Sequence, residues 1–138
     1  MAKEFWVNLP VKEISKSRAF FKAIGFTENA QFSENPTMAS FFLGDKNVVV
    51  NFFPEALFKS FSNTEIADTA KGTEALFSID AQSPAEVDEV ANKAVAAGAK
   101  LYANPGEKDG WMYGCGFSDL DGHRWNVLYM DFSKMPKQ

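Results

Sequence analysis

Cysteine and histidine are almost absent from this sequence, which has one of each, Cys115 and His123, among 138 residues. A lone cysteine cannot form an internal disulfide or a cluster of thiolate metal ligands, and it suits a reducing compartment. Nucleophilic catalysis by Cys115 would need a basic partner, but His123 follows an Asp-Gly pair that is typical of a turn. The shortage of both residues therefore argues against thiol catalysis and against an imidazole-rich metal centre.

Positive charge and long apolar runs are also scarce. The chain has 14 Lys and Arg against 18 Asp and Glu, a net charge of −4, so no basic surface is predicted for nucleic acid. No segment approaches the ~20 apolar residues of a membrane-spanning helix. The N-terminal segment MAKEFWVNLP lacks the features of a secretory signal. We therefore expect a cytoplasmic protein that binds neither nucleic acid nor membranes.

The first half of the chain predicts one helix among several strands. Phe20, Phe21 and Ile24 recur at helical spacing, and Gly25 is a natural end for that helix. Segments rich in β-formers surround it, and the turn GDKN joins two of them. The predicted order is strand, helix, three strands and a short helix, at residues 5–11, 15–24, 27–32, 38–43, 48–53 and 54–61.

The second half repeats this order. The sequence Ser83-Pro84-Ala85-Glu86 is a capping box with proline in the first helical position. The predicted elements are a strand at 74–80, a helix that ends at Gly98, and strands at 100–103, 112–117 and 124–130. This pattern predicts an α+β fold of two βαβββ modules in one domain, residues 1–138, with module one at about 1–61, a polar linker at 62–73 and module two at about 74–132. Because one helix covers only one face of its sheet, we expect an inter-module cleft on the open face that the two modules share.

The segments VNLPVK, AFFKAIGF and DLDGHRW, within a βαβββ duplication, resemble the vicinal oxygen chelate superfamily. That superfamily includes glyoxalase I, extradiol dioxygenases, fosfomycin-resistance thiol transferases, methylmalonyl-CoA epimerase and bleomycin-binding proteins. The chain looks most like small bacterial proteins described as predicted lactoylglutathione lyases. The resemblance covers nearly the whole sequence and implies a glyoxalase-like open-barrel cleft.

In the metal-using members of this superfamily, ligands come from the first and last strands of each module. The resemblance places these positions on Trp6 and Asn51 in module one and on Glu74 and Asn126 in module two. An indole cannot ligate and an amide oxygen is a weak neutral donor, so only Glu74 remains as a charged ligand. We expect no tightly bound transition metal and no other cofactor, although a weak divalent metal such as hydrated Mg²⁺ stays compatible with these oxygens.

Side-chain alternation along the strands assigns the apolar residues to the helix side and the polar ones to the cleft. The expected ligand cleft contains Trp6, Asn8, Asn51, Glu74, Arg124 and Asn126. Several of these residues could instead have a purely structural role. Glu74 could pair with Arg124 or a lysine, and the two amides could bond to each other or to water. Likewise, the segment 105–116 could be a rim over the cleft or an ordinary glycine-rich connection.

Two classes of function follow. The first is a metal-free protein that binds a small organic molecule in the cleft, as the bleomycin-binding members do. The alternative is a lyase, isomerase or thiol-transferase enzyme that uses a divalent metal or Glu74 as general base. Glyoxalase I activity is disfavoured because its enediolate intermediate needs a metal, and an extradiol dioxygenase needs two histidines on iron. Many relatives are dimers, and exposed aromatic edges predict a homodimer here.

Overall fold

A computed structural model describes residues 1–45 and 48–137. The predicted turn GDKN lies partly outside the described residues, since these exclude Lys46 and Asn47. The chain divides into two compact units, Met1–Ala70 and Lys71–Gln138. Each unit contains one four-stranded sheet that does not close on itself. The predicted α+β fold with two repeated modules is confirmed.

Unit one contains a mixed sheet and two helices. Its sheet order is β1-β4-β3-β2, in which β1 and β4 are parallel and the other pairs are antiparallel. The elements are β1 (Trp6–Val11), α1 (Ile14–Ala23), β2 (Thr27–Glu28), a 3₁₀ turn (Ala30–Phe32), β3 (Ala39–Leu43), β4 (Val48–Pro54) and α2 (Glu55–Ser62).

The strand predicted at 27–32 is wrong in its second half, where the chain forms the 3₁₀ turn. The side chain of Asn29 accepts a hydrogen bond from the backbone N–H of Gln31 (3.2 Å), which competes with strand pairing. Arg18 on α1 pairs with Glu28 (3.0 Å). Its guanidinium also donates to the backbone carbonyls of Phe32, Asn35 and Met38. These bonds tie the irregular segment after β2 to α1.

Unit two repeats the arrangement with the sheet order β5-β8-β7-β6. Again the first and last strands, β5 and β8, are parallel neighbours. The elements are β5 (Leu76–Asp80), α3 (Pro84–Ala96), β6 (Lys100–Lys108), β7 (Met112–Ser118), β8 (Arg124–Met130) and a 3₁₀ turn (Phe132–Lys134). The predicted N-cap is confirmed, because Ser83 Oγ accepts from the N–H of Glu86 (3.1 Å). The carboxylate of Glu86 accepts from the N–H of Gln82 (3.1 Å), one residue before the N-cap of the predicted capping box.

Most of the segment 105–116 is paired strand. β6 extends to Lys108, well beyond the predicted end at residue 103. Gly106 pairs with Gly114 and Lys108 with Met112. Asp109 and Gly110 both have positive φ (56° and 77°), as a tight hairpin turn requires. Register shifts near Ala103 mark irregularities in β6 that the sequence did not reveal.

The core of each unit lies between its sheet and its first helix. In unit one, the rings of Phe21 on α1 and Phe52 on β4 stack with centroids 4.5 Å apart. In unit two, Trp125 on β8 and Val87 on α3 are fully buried. Replacing a buried aromatic residue by alanine costs about 3–5 kcal/mol, so these contacts fix each helix on one face of its sheet. Within the described residues, no helix has the length and apolar character needed to span a membrane.

Candidate functional site

Each sheet has one face turned away from its first helix, and we call it the open face. Phe52 and Phe41 contact Phe21 of α1, so their neighbours along the strands, Asn51 and Ser40, project from the open face of unit one. In unit two the hydroxyl of Tyr113 donates to Asp88 on α3 (2.7 Å), which marks that side of β7 as the helix side. The alternation predicted from the sequence therefore holds in both units.

The open face of unit one carries a row of three polar side chains. Asn8, Asn51 and Ser40 are directly opposite one another on β1, β4 and β3. The Nδ2 of Asn51 donates to Oδ1 of Asn8 (3.2 Å). Asn51 is 8% exposed and Ser40 is 1% exposed. Among the described residues, Asn51 Oδ1 and Ser40 Oγ are buried without a hydrogen-bond partner, which is costly unless another group satisfies them.

Apolar side chains flank this polar row. Trp6 pairs with Val49, and Val49 pairs with Phe42. Trp6 is 57% exposed and Phe42 38% exposed. The predicted cleft residues Trp6, Asn8 and Asn51 thus share one face. That face combines uncharged hydrogen-bonding groups with accessible aromatic surface.

The matching row of unit two is Ser78, Asn126 and Gly116, on β5, β8 and β7. Here Asn126 has a partner that sequence reasoning missed. The hydroxyl of Tyr102 on β6 donates a short hydrogen bond to Asn126 Oδ1, and it also lies 3.2 Å from the carbonyl oxygen of Trp125. Each predicted amide therefore finds a partner within its own unit.

Gly116 allows this arrangement, because a Cβ there would overlap the Tyr102 ring. The guanidinium carbon of Arg124 lies 4.6 Å from the centroid of the same ring, within the range of a cation–π interaction. Burial raises the pKa of the Tyr102 hydroxyl, and the nearby Arg124 partly offsets this. Tyr102 consequently stays protonated and serves as a donor to Asn126 at neutral pH.

A cavity of about 320 Å³ lies beside this cluster. Its lining includes Asn126, Leu128, Met112, Gly114, Gly106 and Asn104. A Cβ at Gly114 would lie 2.6 Å from a Leu128 methyl group and 2.8 Å from the carbonyl oxygen of Val127. Because Gly114 has no side chain, the side chain of Leu128 can lie against β7. The cavity is at the lower end of the volume range for small-molecule sites and combines apolar walls with amides.

Glu74 lies outside the strand predicted for it, since β5 begins at Leu76. The hydroxyl of Thr73 instead donates to the carbonyl of Ala75 (2.9 Å), and Glu74 is exposed at a bend. Within the described residues, no ion pair includes Glu74, so its predicted pairing with Arg124 or a lysine is not found.

The predicted equivalence of Trp6 and Glu74 is also wrong by two residues. Asn8 pairs with Asn51 just as Ser78 pairs with Asn126, so the counterpart of Trp6 is Leu76. The error arose because the bend at Glu74 shortens β5 at its start.

His123 lies in the turn between β7 and β8, as predicted, and the buried residue of that turn is Asp119. Its Oδ1 accepts from the backbone N–H groups of Asp121 and His123, both at 3.0 Å. Its Oδ2 accepts from the indole nitrogen of Trp125 (3.1 Å). Burial raises the pKa of Asp119, while His123 and these donors act in the opposite direction. The turn thus anchors the indole at the centre of the core.

The described residues contain no group of three or more His, Cys, Asp or Glu side chains placed to hold a metal ion. The residues of the candidate site that sequence reasoning missed are Tyr102, Gly116 and Ser40. One signal was available, because glycines at alternate positions of a strand, Gly114 and Gly116, indicate close approach of another group.

One family model and several known structures are similar to this chain. A sequence model of the Glyoxalase/Bleomycin resistance protein/Dioxygenase superfamily matches residues 5–127. Among curated proteins, none matches the sequence. A hypothetical protein from S. aureus is 30% identical, with a TM-score of 0.82 over 94% of this chain and 95% of that chain.

Two more distant structures share the fold. A glyoxalase/bleomycin resistance protein/dioxygenase family enzyme from Burkholderia phytofirmans PsJN is 21% identical, with a TM-score of 0.76, and the match covers 91% of this chain and 97% of that chain. A mutant fosfomycin resistance protein from Listeria monocytogenes, complexed with Mn(II) and 1S,2S-dihydroxypropylphosphonic acid, is 19% identical, with a TM-score of 0.65, and the match covers 92% of this chain and 90% of that chain.

Proposed function

Because the chain belongs to the glyoxalase/bleomycin resistance protein/dioxygenase superfamily, we propose that it binds a small organic molecule on the open face of unit two, without a tightly held metal ion. The observation that carries this proposal is the cavity of about 320 Å³ that meets the amide of Asn126. A few polar groups within mostly apolar walls are typical of sites that orient a small ligand.

The chemistry of the open faces supports metal-free binding. The fosfomycin resistance relative is complexed with Mn(II). In this chain the polar rows consist of Asn8, Asn51 and Ser40 in unit one and of Ser78 and Asn126 in unit two. Amide and hydroxyl oxygens are neutral donors, whereas transition metals in proteins are held by imidazole, thiolate and carboxylate groups. These side chains do not fit a transition metal.

The alternative of a lyase, isomerase or thiol transferase that uses a divalent metal or Glu74 as general base stays a prediction. Glu74 is exposed at a bend and lies before the first residue of β5. The predicted cytoplasmic location is likewise a proposal that a fractionation experiment would test.

The binding proposal is tested by titrating ¹⁵N-labelled protein with bleomycin, fosfomycin and a set of small aromatic and aliphatic fragments. We expect the amide signals of Gly106, Gly114 and Leu128 to shift. Leu128→Ala should weaken the binding of a shifting compound several-fold by removing one apolar wall. Val95→Ala is the matched control, since Val95 is 50% exposed on α3 of the same unit. Shifts confined to other surfaces, or equal affinity of both variants, would contradict the proposal.

A further inference from the structure

Arg124 is a cation on the open face of unit two with no carboxylate bound to it. Of the ion pairs formed by described residues, none includes Arg124. Its guanidinium carbon lies over the Tyr102 ring, 4.6 Å from the centroid. A cation–π contact of this kind leaves guanidinium N–H groups available for an oxyanion.

The amide of Asn126 presents donors on the same face. Because the Tyr102 hydroxyl bonds to Asn126 Oδ1, the Nδ2 group with its two hydrogens remains for another partner. Asn126 and Arg124 are two residues apart on β8, and side chains at such positions project from one face of a strand about 7 Å apart. Asn126 lines the cavity and Arg124 lies two residues before it on β8, so a ligand seated there lies next to the amide and can extend along the strand toward the guanidinium.

A second positive charge, on Lys100, lies in the same row of residues across the sheet as Arg124. Arg124 pairs with Ser118 on β7, and Ser118 pairs with Lys100 on β6. On the other side, Arg124 is opposite Leu76. This row across the sheet therefore holds two cations, a hydroxyl and an apolar side chain, and no acid. The cavity next to this row is lined by one acid and one cation, Glu107 and Lys108, whose charges offset each other.

We propose that the ligand of unit two is a small organic acid, whose carboxylate or phosphonate binds the edge of the Arg124 guanidinium and the Nδ2 group of Asn126 while its apolar body lies in the cavity against Leu128. Tyr102 is a positioning residue that holds both donors, one by stacking and the other by its hydroxyl hydrogen bond. This inference rests on the proposed function and adds the charge and class of the ligand.

The probes for this test are benzoate, phenylphosphonate and the neutral benzamide, titrated into ¹⁵N-labelled protein at low ionic strength. We expect both acids to shift the side-chain signals of Arg124 and Asn126, and to bind at least about tenfold more tightly than benzamide, because a charge-assisted hydrogen bond contributes that much. The two acids distinguish a carboxylate site from a phosphonate site.

Arg124→Gln should weaken the binding of the preferred acid about tenfold. Lys16→Gln removes the same charge from an exposed side chain of α1 in unit one and should leave affinity unchanged. Benzamide binding as tightly as the acids would overturn the inference and leave the binding proposal intact. Equal affinity of Arg124→Gln and Lys16→Gln, or no shift by either acid, would also overturn it. The fragment titration tests the binding proposal separately.

Discussion

The hydroxyl of Tyr102 donates to the side-chain oxygen of Asn126, across a position where Gly116 leaves room for the ring. The two residues come from β6 and β8, with β7 between them. A hydrogen bond that crosses the intervening strand in this way depends on the glycine. The positions of the three side chains therefore depend on one another.

Removing the Tyr102 hydroxyl should release the Asn126 amide. For Tyr102→Phe we expect a loss of about 1 kcal/mol in the free energy of unfolding and weaker binding of any ligand of the cavity, measured by urea denaturation and titration. Tyr113→Phe is the control, because it deletes a hydroxyl bonded to Asp88 on the helix side. Equal effects of both variants on ligand affinity would show that Tyr102 has no role at the site.

Adding one methyl group at Gly116 should displace the Tyr102 ring. Gly116→Ala is expected to destabilise the protein by about 1–3 kcal/mol, the usual cost of overpacking, and to shift the NMR signals of the ring. The control is Gly72→Ala, since a Cβ at Gly72 meets nothing within 4 Å. Unchanged ring signals in Gly116→Ala would disprove the contact.

The buried carboxylate of Asp119 should give a distinct pH dependence. Burial raises its pKa in the folded state. The unfolded chain therefore loses this proton first, from about pH 4, and the contribution of Asp119 to stability decreases as pH rises to the folded pKa. Urea denaturation from pH 3 to 8 should show this decrease in the wild type and not in Asp119→Asn.

Asp119→Asn should also be less stable at every pH, because an amide N–H₂ group would face the indole N–H of Trp125, two donors in contact. Asp119→Ala, which leaves three donors without their acceptor, should lose at least as much, on the order of 3 kcal/mol. Wild-type stability in either variant would contradict the anchoring role of Asp119.

Cys115 should be unreactive in the folded protein. It is 5% exposed, and burial raises the pKa of its thiol, which lowers the thiolate fraction. We expect iodoacetamide at pH 8 to modify the urea-denatured chain at least about 100-fold faster than the native protein, as followed by mass spectrometry. Comparable rates in the two states would place the thiol at the surface.

The predicted homodimer remains to be tested. Trp6 and Leu76, which hold equivalent positions in the two units, are 57% and 54% exposed. Sedimentation equilibrium should give twice the chain mass, and replacing both residues by serine should shift the equilibrium toward the single chain. A wild-type mass close to 15.3 kDa would refute the dimer.

The sequence predicted most of the fold because local signals agreed with each other. The alternating strands, the capping box at Ser83 and the paired glycines Gly25 and Gly98 set the element order before any tertiary contact was known. The predicted start of β5 at Glu74 and the predicted end of β6 at Ala103 were wrong, because a bend and a bulged strand depend on neighbours that periodicity does not encode.

The candidate site was predictable only in part. Asn51, Asn126 and Arg124 were placed on the open faces by counting along strands whose first residues were predicted correctly. Tyr102 was missed because its contacts with Asn126 and Arg124 join residues more than 20 positions apart, through register shifts in β6. Long-range pairs of this kind have no signature in local sequence.

In each unit the first strand is the parallel neighbour of the last. During synthesis, β1 therefore cannot pair until β4 has been made, and β5 cannot pair until β8 has been made. On the ribosome, the sheet of unit one can be completed once Pro54 has left the exit tunnel, whereas β5 remains unpaired until Met130 has emerged. Such distant pairing also slows folding, because a long loop must close before the contact forms. Nascent chains from which β8 has not yet emerged therefore expose the unpaired edge of β5, which can pair with another chain.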